Sequence, residues 1–335
     1  MLFHWALTLV PLLVQVKAYF LPLDRSLGQS LDIRGLADFN FVAGGAGSST
    51  DDQKNQIDKW LKDIEYLAGK AVDKLNNYAT SRHVAFSARA FIGLFYNFQG
   101  GWFGDLKVLA STGRGGTIAN SWLFCGDNFQ EMRSGSDWVQ KPDGSFYTRL
   151  NAQNQKENVK IRDIPTFTPY IVDKGLVPIW IPAMGGYAFA VPGKFTPGSP
   201  GSECTKSYAF TTPVAGNRRL FVLCHPRGTQ GGSLFTDLAG DVINGTTARS
   251  GQLMDAHFSR SGALMHEMFH AVAGAGQAPD VNNNHLECFH GGLSKNGRTP
   301  EGSRKSPQCL VEFAMAMHYL DQNPGNPWVF LERPS

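Results

Sequence analysis

Apolar residues recur at three- and four-residue steps through Ile57, Trp60, Leu61, Ile64, Leu67, Ala68, Ala71, Val72 and Leu75. That period places them on one face of an α-helix. The polar stretch from Ser48 to Asp52 supplies the N-cap. Residues 83–98, HVAFSARAFIGLFYNF, predict a second apolar helix, and the pair reads as a helical base layer. The pattern then changes. Residues 100–250 hold most of the Gly and Pro, and their apolar runs are short and rich in β-formers. Val177–Ile181 and Tyr187–Val191 read as strands, followed by a hairpin-like pair at Ser207–Thr212 and Arg219–Leu223. Helical periodicity returns in Ser261–Ala273, which stops at Gly274, and in Gln308–Leu320, which stops before Asn323-Pro324-Gly325. The fold class expected is α+β, mainly helical, with a small β-hairpin or sheet at the edge of a cleft. No internal repeat, coiled-coil heptad or low-complexity tract is present.

The N-terminus changes the picture of compartment. Residues 1–18, MLFHWALTLVPLLVQVKA, have an apolar centre too short to span a bilayer and end on Ala18, as a secretory signal does. Residues 19–50 look irregular and end in AGGAGSST, with room for a propeptide, so residues 51–335 are expected to form the main domain. No later stretch has eighteen uninterrupted apolar residues. The expectation is a secreted, extracellular monomer.

Composition narrows the partners. Removing residues 1–18 takes away Lys17 and lowers the formal charge from +3 to +2, which gives no electrostatic case for a nucleic acid or an anionic membrane. A hydrophobic fraction of 42% argues against disorder. Five cysteines stand at 125, 204, 224, 288 and 309 without a CxxC, so a thiolate zinc site is not expected. Proximity along the chain suggests Cys204–Cys224 and Cys288–Cys309, although sequence alone leaves the connectivity open. Cys125 is then the odd thiol. Asn244-Gly245-Thr246 is a glycosylation sequon suited to a secreted chain.

The chemistry sits in His266-Glu267-Met268-Phe269-His270, an HExxH. Residues four apart share one helix face, so two imidazoles can reach one Zn²⁺, which accepts nitrogen ligands in tetrahedral geometry. Glu267 lies one residue round the helix and is placed to act as general base on water. Leu264, Met265, Met268, Phe269 and Val272 read as core around the motif rather than as a specificity pocket. A catalytic zinc needs a third ligand and an open position. Gly274 and Gly276 let the chain turn back after the helix, and Asp280, His285, Glu287 and His290 each lie within reach. Glu312 on the last helix is a further candidate, while His318 reads as ordinary core or surface. The HExxHxxGxxH pattern is absent, since Gly274 and Gln277 do not fit it.

The helix with HEMFH and an Asp about ten residues on, the block Cys204-Thr-Lys-Ser-Tyr-Ala-Phe-Thr-Thr-Pro…Arg-Leu-Phe-Val-Leu-Cys224, and the closing Ala- and Met-rich helix together resemble the deuterolysin family, the aspzincins of fungi and some bacteria. The resemblance covers about half of the chain after residue 18. It implies a zinc endopeptidase acting on protein or peptide substrates, with the Asp of a GTxDxxYG motif as third ligand. Only Asp280 matches that motif here. Gln277-Ala278 stand for its Gly-Thr, and Asn283-Asn284 for its Tyr-Gly. His285 is a substitute either for the ligand or for the group that stabilises the developing oxyanion, and Glu287 is an alternative ligand. A second reading is a catalytically inactive, secreted zinc-binding or surface-interaction protein on the same fold. A glycan-active enzyme lacks a defensible carboxylate pair.

Overall fold

The computed structural model describes residues 39–42, 50–78, 81–92, 96–116, 118, 121–126, 130–192, 204, 207–214, 218–224, 258–274, 277–278, 280, 288 and 305–322. The signal segment 1–18, the sequon at Asn244 and the candidate ligands His285, Glu287 and His290 lie outside the described residues.

The fold is mixed α+β, built as stacked layers. The helical layer consists of α1 (Thr50–Asn76), α2 (Arg82–Phe91), α3 (Tyr96–Thr112), α4 (Arg260–Ala273) and α5 (Pro307–Gln322). The apolar stripe of α1 is buried as its period predicts: Ile57, Trp60, Leu61, Ile64, Leu67, Ala68 and Ala71 are at most 1% exposed. It packs against α3, α4 and α5. On the α1–α5 seam, Tyr66 Oη lies 3.1 Å from Nδ1 of the buried His318, so that histidine is a partnered core group.

Where the pattern predicts one helix over 83–98, the chain forms two. The first ends at Phe91 and α3 continues to Thr112. Glycines at 101 and 104 disguise α3, since Gly inside a helix costs about 0.5–1 kcal/mol relative to Ala. Burial of Phe103, Leu106 and Leu109 outweighs that cost, at roughly 1.5–3 kcal/mol for each large side chain taken from water.

Under the helices lies a four-stranded sheet in the order β1 (Asn40–Val42), β2 (Trp122–Cys125), β9 (Arg218–Leu223), β8 (Ala209–Val214). β1, β2 and β9 run parallel, and β8 is antiparallel to β9 at the edge. The strand β1 falls within the stretch 19–50 that the pattern leaves irregular. Side chains alternate between two cores, as the pleat requires. Leu123, Cys125, Ala209, Phe221 and Leu223 face the helices. Phe124, Leu220 and Val222 face a second layer formed by β6 (Val177–Ile181) and β7 (Gly186–Ala190), where Ile179, Ile181, Ala188 and Ala190 meet them. Burial on both faces explains why β2 and β9 are nearly unbroken apolar runs.

Beyond β6 and β7, whose sheet is completed by β3 (Glu131–Met132), a third core of Val139, Val159, Ile161, Phe167, Trp180, Tyr187 and Phe189 supports the small hairpin β4 (Thr148–Leu150)–β5 (Lys156–Asn158). Two disulfides staple the fold, Cys204–Cys224 at the end of β9 and Cys288–Cys309 on α5. Cys125 is free and buried.

Candidate metal centre

Helix α4 begins at Ser259, whose hydroxyl accepts from Gly262 N at 3.0 Å, a side-chain cap for one of the helix's orphan donors. Its apolar face is fixed by Leu264, Met265, Met268 and Phe269, all fully buried. Phe269 packs edge-on against Phe103 of α3 at 5.1 Å between ring centres, and Phe103 in turn lies 5.9 Å from Phe313 of α5. With that face held, the opposite face presents His266 and His270 together, their ring centres 5.0 Å apart.

The helix stops at Gly274, with φ of 85°, a backbone geometry suited to glycine. Gln277 N donates to Gly274 O at 3.2 Å, and this turn carries the chain back along the last turn of α4. Asp280 arrives beside both imidazoles. Its Oδ1 is 2.9 Å from His266 Nε2 and 3.1 Å from His270 Nε2. One nitrogen from each histidine and one carboxylate oxygen thus lie within 4.8 Å of one another and could hold a metal ion.

The backbone completes the arrangement. His270 Nδ1 is 2.8 Å from Ala278 O. A carbonyl only accepts, so Nδ1 carries the hydrogen and Nε2 is the nitrogen turned to the group. A carbonyl that accepts from the far ring nitrogen and so fixes the tautomer is a recurrent feature of histidine metal ligands. The histidine side chains are 18% exposed and that of Asp280 is 55% exposed, so the group opens to solvent on the aspartate side.

No protein-family model, curated protein or solved structure matches the chain.

The electrostatics are those of a carboxylate holding imidazoles in place of a cation. Burial works to raise the Asp280 pKa, but hydrogen bonds from His266 and His270 outweigh it and hold the carboxyl well below its usual range. Burial lowers the His270 pKa, yet the hydrogen bond to Asp280 and the charge of Glu267 lift it to about 9. Glu267 is 9% exposed, and burial raises its pKa against the lowering effect of the two histidines. The Thr211 backbone on β8 adds a smaller lowering effect.

Among the described candidates, His266, His270 and Asp280 converge. Glu312 does not join them: it is fully buried on α5, where Oε1 accepts from Gln308 Nε2 at 2.9 Å. The sequence leaves open which strands edge the cleft; the hairpin of β6 and β7 belongs to the sheet layer behind, and the strand packed against α4 is β8. One group escapes sequence reasoning, the Ala278 carbonyl, a backbone group of which residue identity carries no signal.

Proposed function

We propose that the chain is a zinc-dependent endopeptidase resembling the deuterolysin family, with His266, His270 and Asp280 as the metal ligands and Glu267 as the general base. The observation that carries this reading is the convergence of two Nε2 atoms and one carboxylate oxygen beside a buried glutamate. The donor set suits Zn²⁺: three protein ligands of nitrogen and oxygen type leave a fourth position free, as catalytic sites do. Bound Zn²⁺ would supply Lewis acidity, polarising the scissile carbonyl and lowering the pKa of water.

The chain's own residues do the rest. Glu267 takes a proton from the attacking water at its carboxylate and returns it to the leaving amine nitrogen. Ala278 O keeps His270 in one tautomer through the cycle. β8 offers substrate a place to lie. Among the described residues no strand pairs beyond it, and the register against β9 turns the carbonyls of Ala209, Thr211 and Pro213 outward, where an extended peptide can add as a strand. The two disulfides are compatible with an extracellular protein, and no helix among the described residues is long and apolar enough to cross a membrane.

A second reading, a zinc-binding protein without catalysis, is favoured by one observation: Asn283-Asn284 stand where the resembled motif has Tyr-Gly. Glu267→Ala separates the two. For a peptidase, the variant keeps its zinc and loses chelator-sensitive cleavage of an unfolded protein. Wild-type protein that binds zinc but cleaves no unfolded substrate supports the second reading.

A further inference from the structure

In the third layer the chain over residues 138–140 bridges to the β4–β5 hairpin, with Trp138 opposite Lys160 and Gln140 opposite Phe146. Backbone bonds link Val139, Tyr147 and Val159 in a ring. Val139 N donates to Val159 O at 2.8 Å, Tyr147 N to Val139 O at 2.9 Å and Val159 N to Tyr147 O at 2.9 Å. The side chains of these three turn to the third core, where both valines are buried. Side chains alternate along a strand, so the residues on either side of them face outward. That outer face holds large apolar groups in the open: Trp138 is 41% exposed, Phe146 43% and Leu150 60%. Lys160 Nζ lies over the Trp138 ring, 5.9 Å from its centre, and Lys156 stands opposite Leu150. Thr148 and Asn158, paired across the hairpin, add an exposed hydroxyl and an exposed amide. The carboxylates that flank this face along the chain are engaged elsewhere. Asp137 Oδ2 accepts from Ser134 N at 2.8 Å, Asp143 Oδ1 accepts from Ser145 Oγ at 2.7 Å, and Glu157 pairs with Arg149 at 2.6 Å on the other side of the hairpin.

We propose that this face binds an acidic polysaccharide bearing uronic acids, with Trp138 and Phe146 as stacking platforms and Lys156 and Lys160 as the cations that meet its carboxylates. Apolar groups gathered on one open face mark an interaction site, whereas scattered ones do not. The C–H faces of pyranose rings lie flat on aromatic rings, which are large, rigid contact surfaces. An amide both donates and accepts, as sugar hydroxyls do. The two ammonium groups share the face with no carboxylate, so its charge complements an anion. Other partners fit less well. A bilayer interior offers Thr148 and Asn158 no hydrogen-bond partner. Nucleic-acid binders neutralise several phosphates, and two lysines are few for that. Protein–protein interface cores are depleted in lysine, but here Lys160 lies on the central tryptophan. The face shares no residue with the metal centre, and the proposal does not rest on the peptidase reading.

Calorimetric titration of the full chain with a galacturonate oligosaccharide tests this, with a neutral glucan of the same length as its control. The uronate is expected to bind saturably, more tightly than the glucan, and to weaken as salt rises. Trp138→Ala should lose about tenfold in affinity for both sugars, the scale of one aromatic contact. The double variant Lys156→Gln, Lys160→Gln should lose the preference for the uronate and keep the binding of the glucan. All these positions are on the outer face, so zinc content and the urea midpoint should hold in every variant, and the lysine pair carries the test if Trp138→Ala does not fold. Metal-free protein should bind the uronate as the zinc form does, which separates this result from any failure of the zinc or peptidase reading. No uronate binding at about millimolar ligand overturns the proposal, as does unchanged affinity in both Trp138→Ala and Phe146→Ala. Preference for phosphatidylserine vesicles or a single-stranded oligonucleotide over the uronate would assign the face to another partner and overturn it too.

Discussion

His270 Nδ1 lies 2.8 Å from the carbonyl oxygen of Ala278, two residues before Asp280, whose carboxylate meets His270 on the other ring nitrogen at 3.1 Å. One short return segment therefore grips the imidazole from both sides. The backbone sets the tautomer and the side chain supplies the neighbouring donor atom. Neither contact alone would orient the ring: a lone carbonyl leaves Nε2 facing solvent, and a lone carboxylate accepts from either tautomer.

This grip makes the metal-free chain sensitive to pH. The His270 pKa is raised in the folded state from 6.5 to about 9. A raised pKa contributes stability that is complete below the unfolded value and is lost as pH rises through the folded one. Metal-free protein should therefore lose on the order of 2–3 kcal/mol between pH 6 and pH 10 through this group. The Asp280 shift reports the same contacts and is not counted again. Urea midpoints across that range would measure the loss, and Asp280→Asn should flatten it.

The same proton competes with a cation. Below pH 9, metal binding must displace it from His270, so apparent zinc affinity should climb by about tenfold per pH unit at most and level off above pH 9. Competition with a chromophoric chelator from pH 6 to pH 10 tests this. A flat profile would mean that His270 is not a ligand.

Phe269 ties the histidine face to the rest of the molecule. It is fully buried on the opposite side of α4 and packs edge-on against Phe103. Phe269→Ala should destabilise the fold by about 3–5 kcal/mol, as truncation of a buried aromatic does. The urea midpoint of unfolding would record it. A loss under about 1 kcal/mol would mean that α4 is not seated on α3 as described.

The cysteines give a chemical check. Burial pushes the Cys125 thiol up to about 12, and the side chain is 1% exposed. A thiol reagent should label no cysteine in the native protein near neutral pH, and one in the unfolded, unreduced protein. Two or more labels after unfolding would show that a disulfide is absent.

Much of this was written locally and was therefore legible. The stripe from Ile57 to Leu75 is a one-dimensional pattern, and the α1 core follows it. His266 and His270 share a helix face by spacing alone, and Gly274 marks the turn that returns Asp280. Pairing of Cys204 with Cys224 and of Cys288 with Cys309 follows proximity along the chain. The rest depends on neighbours distant in sequence. Gly101 and Gly104 conceal α3 because only tertiary burial repays their cost. Asn40–Val42 is too short to show alternation and becomes a strand by pairing with Trp122–Phe124. That β8 rather than β6–β7 lies against α4 is settled by sheet order, to which no residue pattern within either hairpin refers.

The central claim is that His266, His270 and Asp280 hold one zinc ion. A crystal of the zinc-soaked chain, with anomalous data collected on both sides of the zinc edge, tests it most directly. The account predicts one anomalous peak about 2.0–2.2 Å from both Nε2 atoms and from an Asp280 carboxylate oxygen, with Glu267 nearby and not bound. A peak elsewhere, or none beside a direct His–Asp contact that survives the soak, would contradict it.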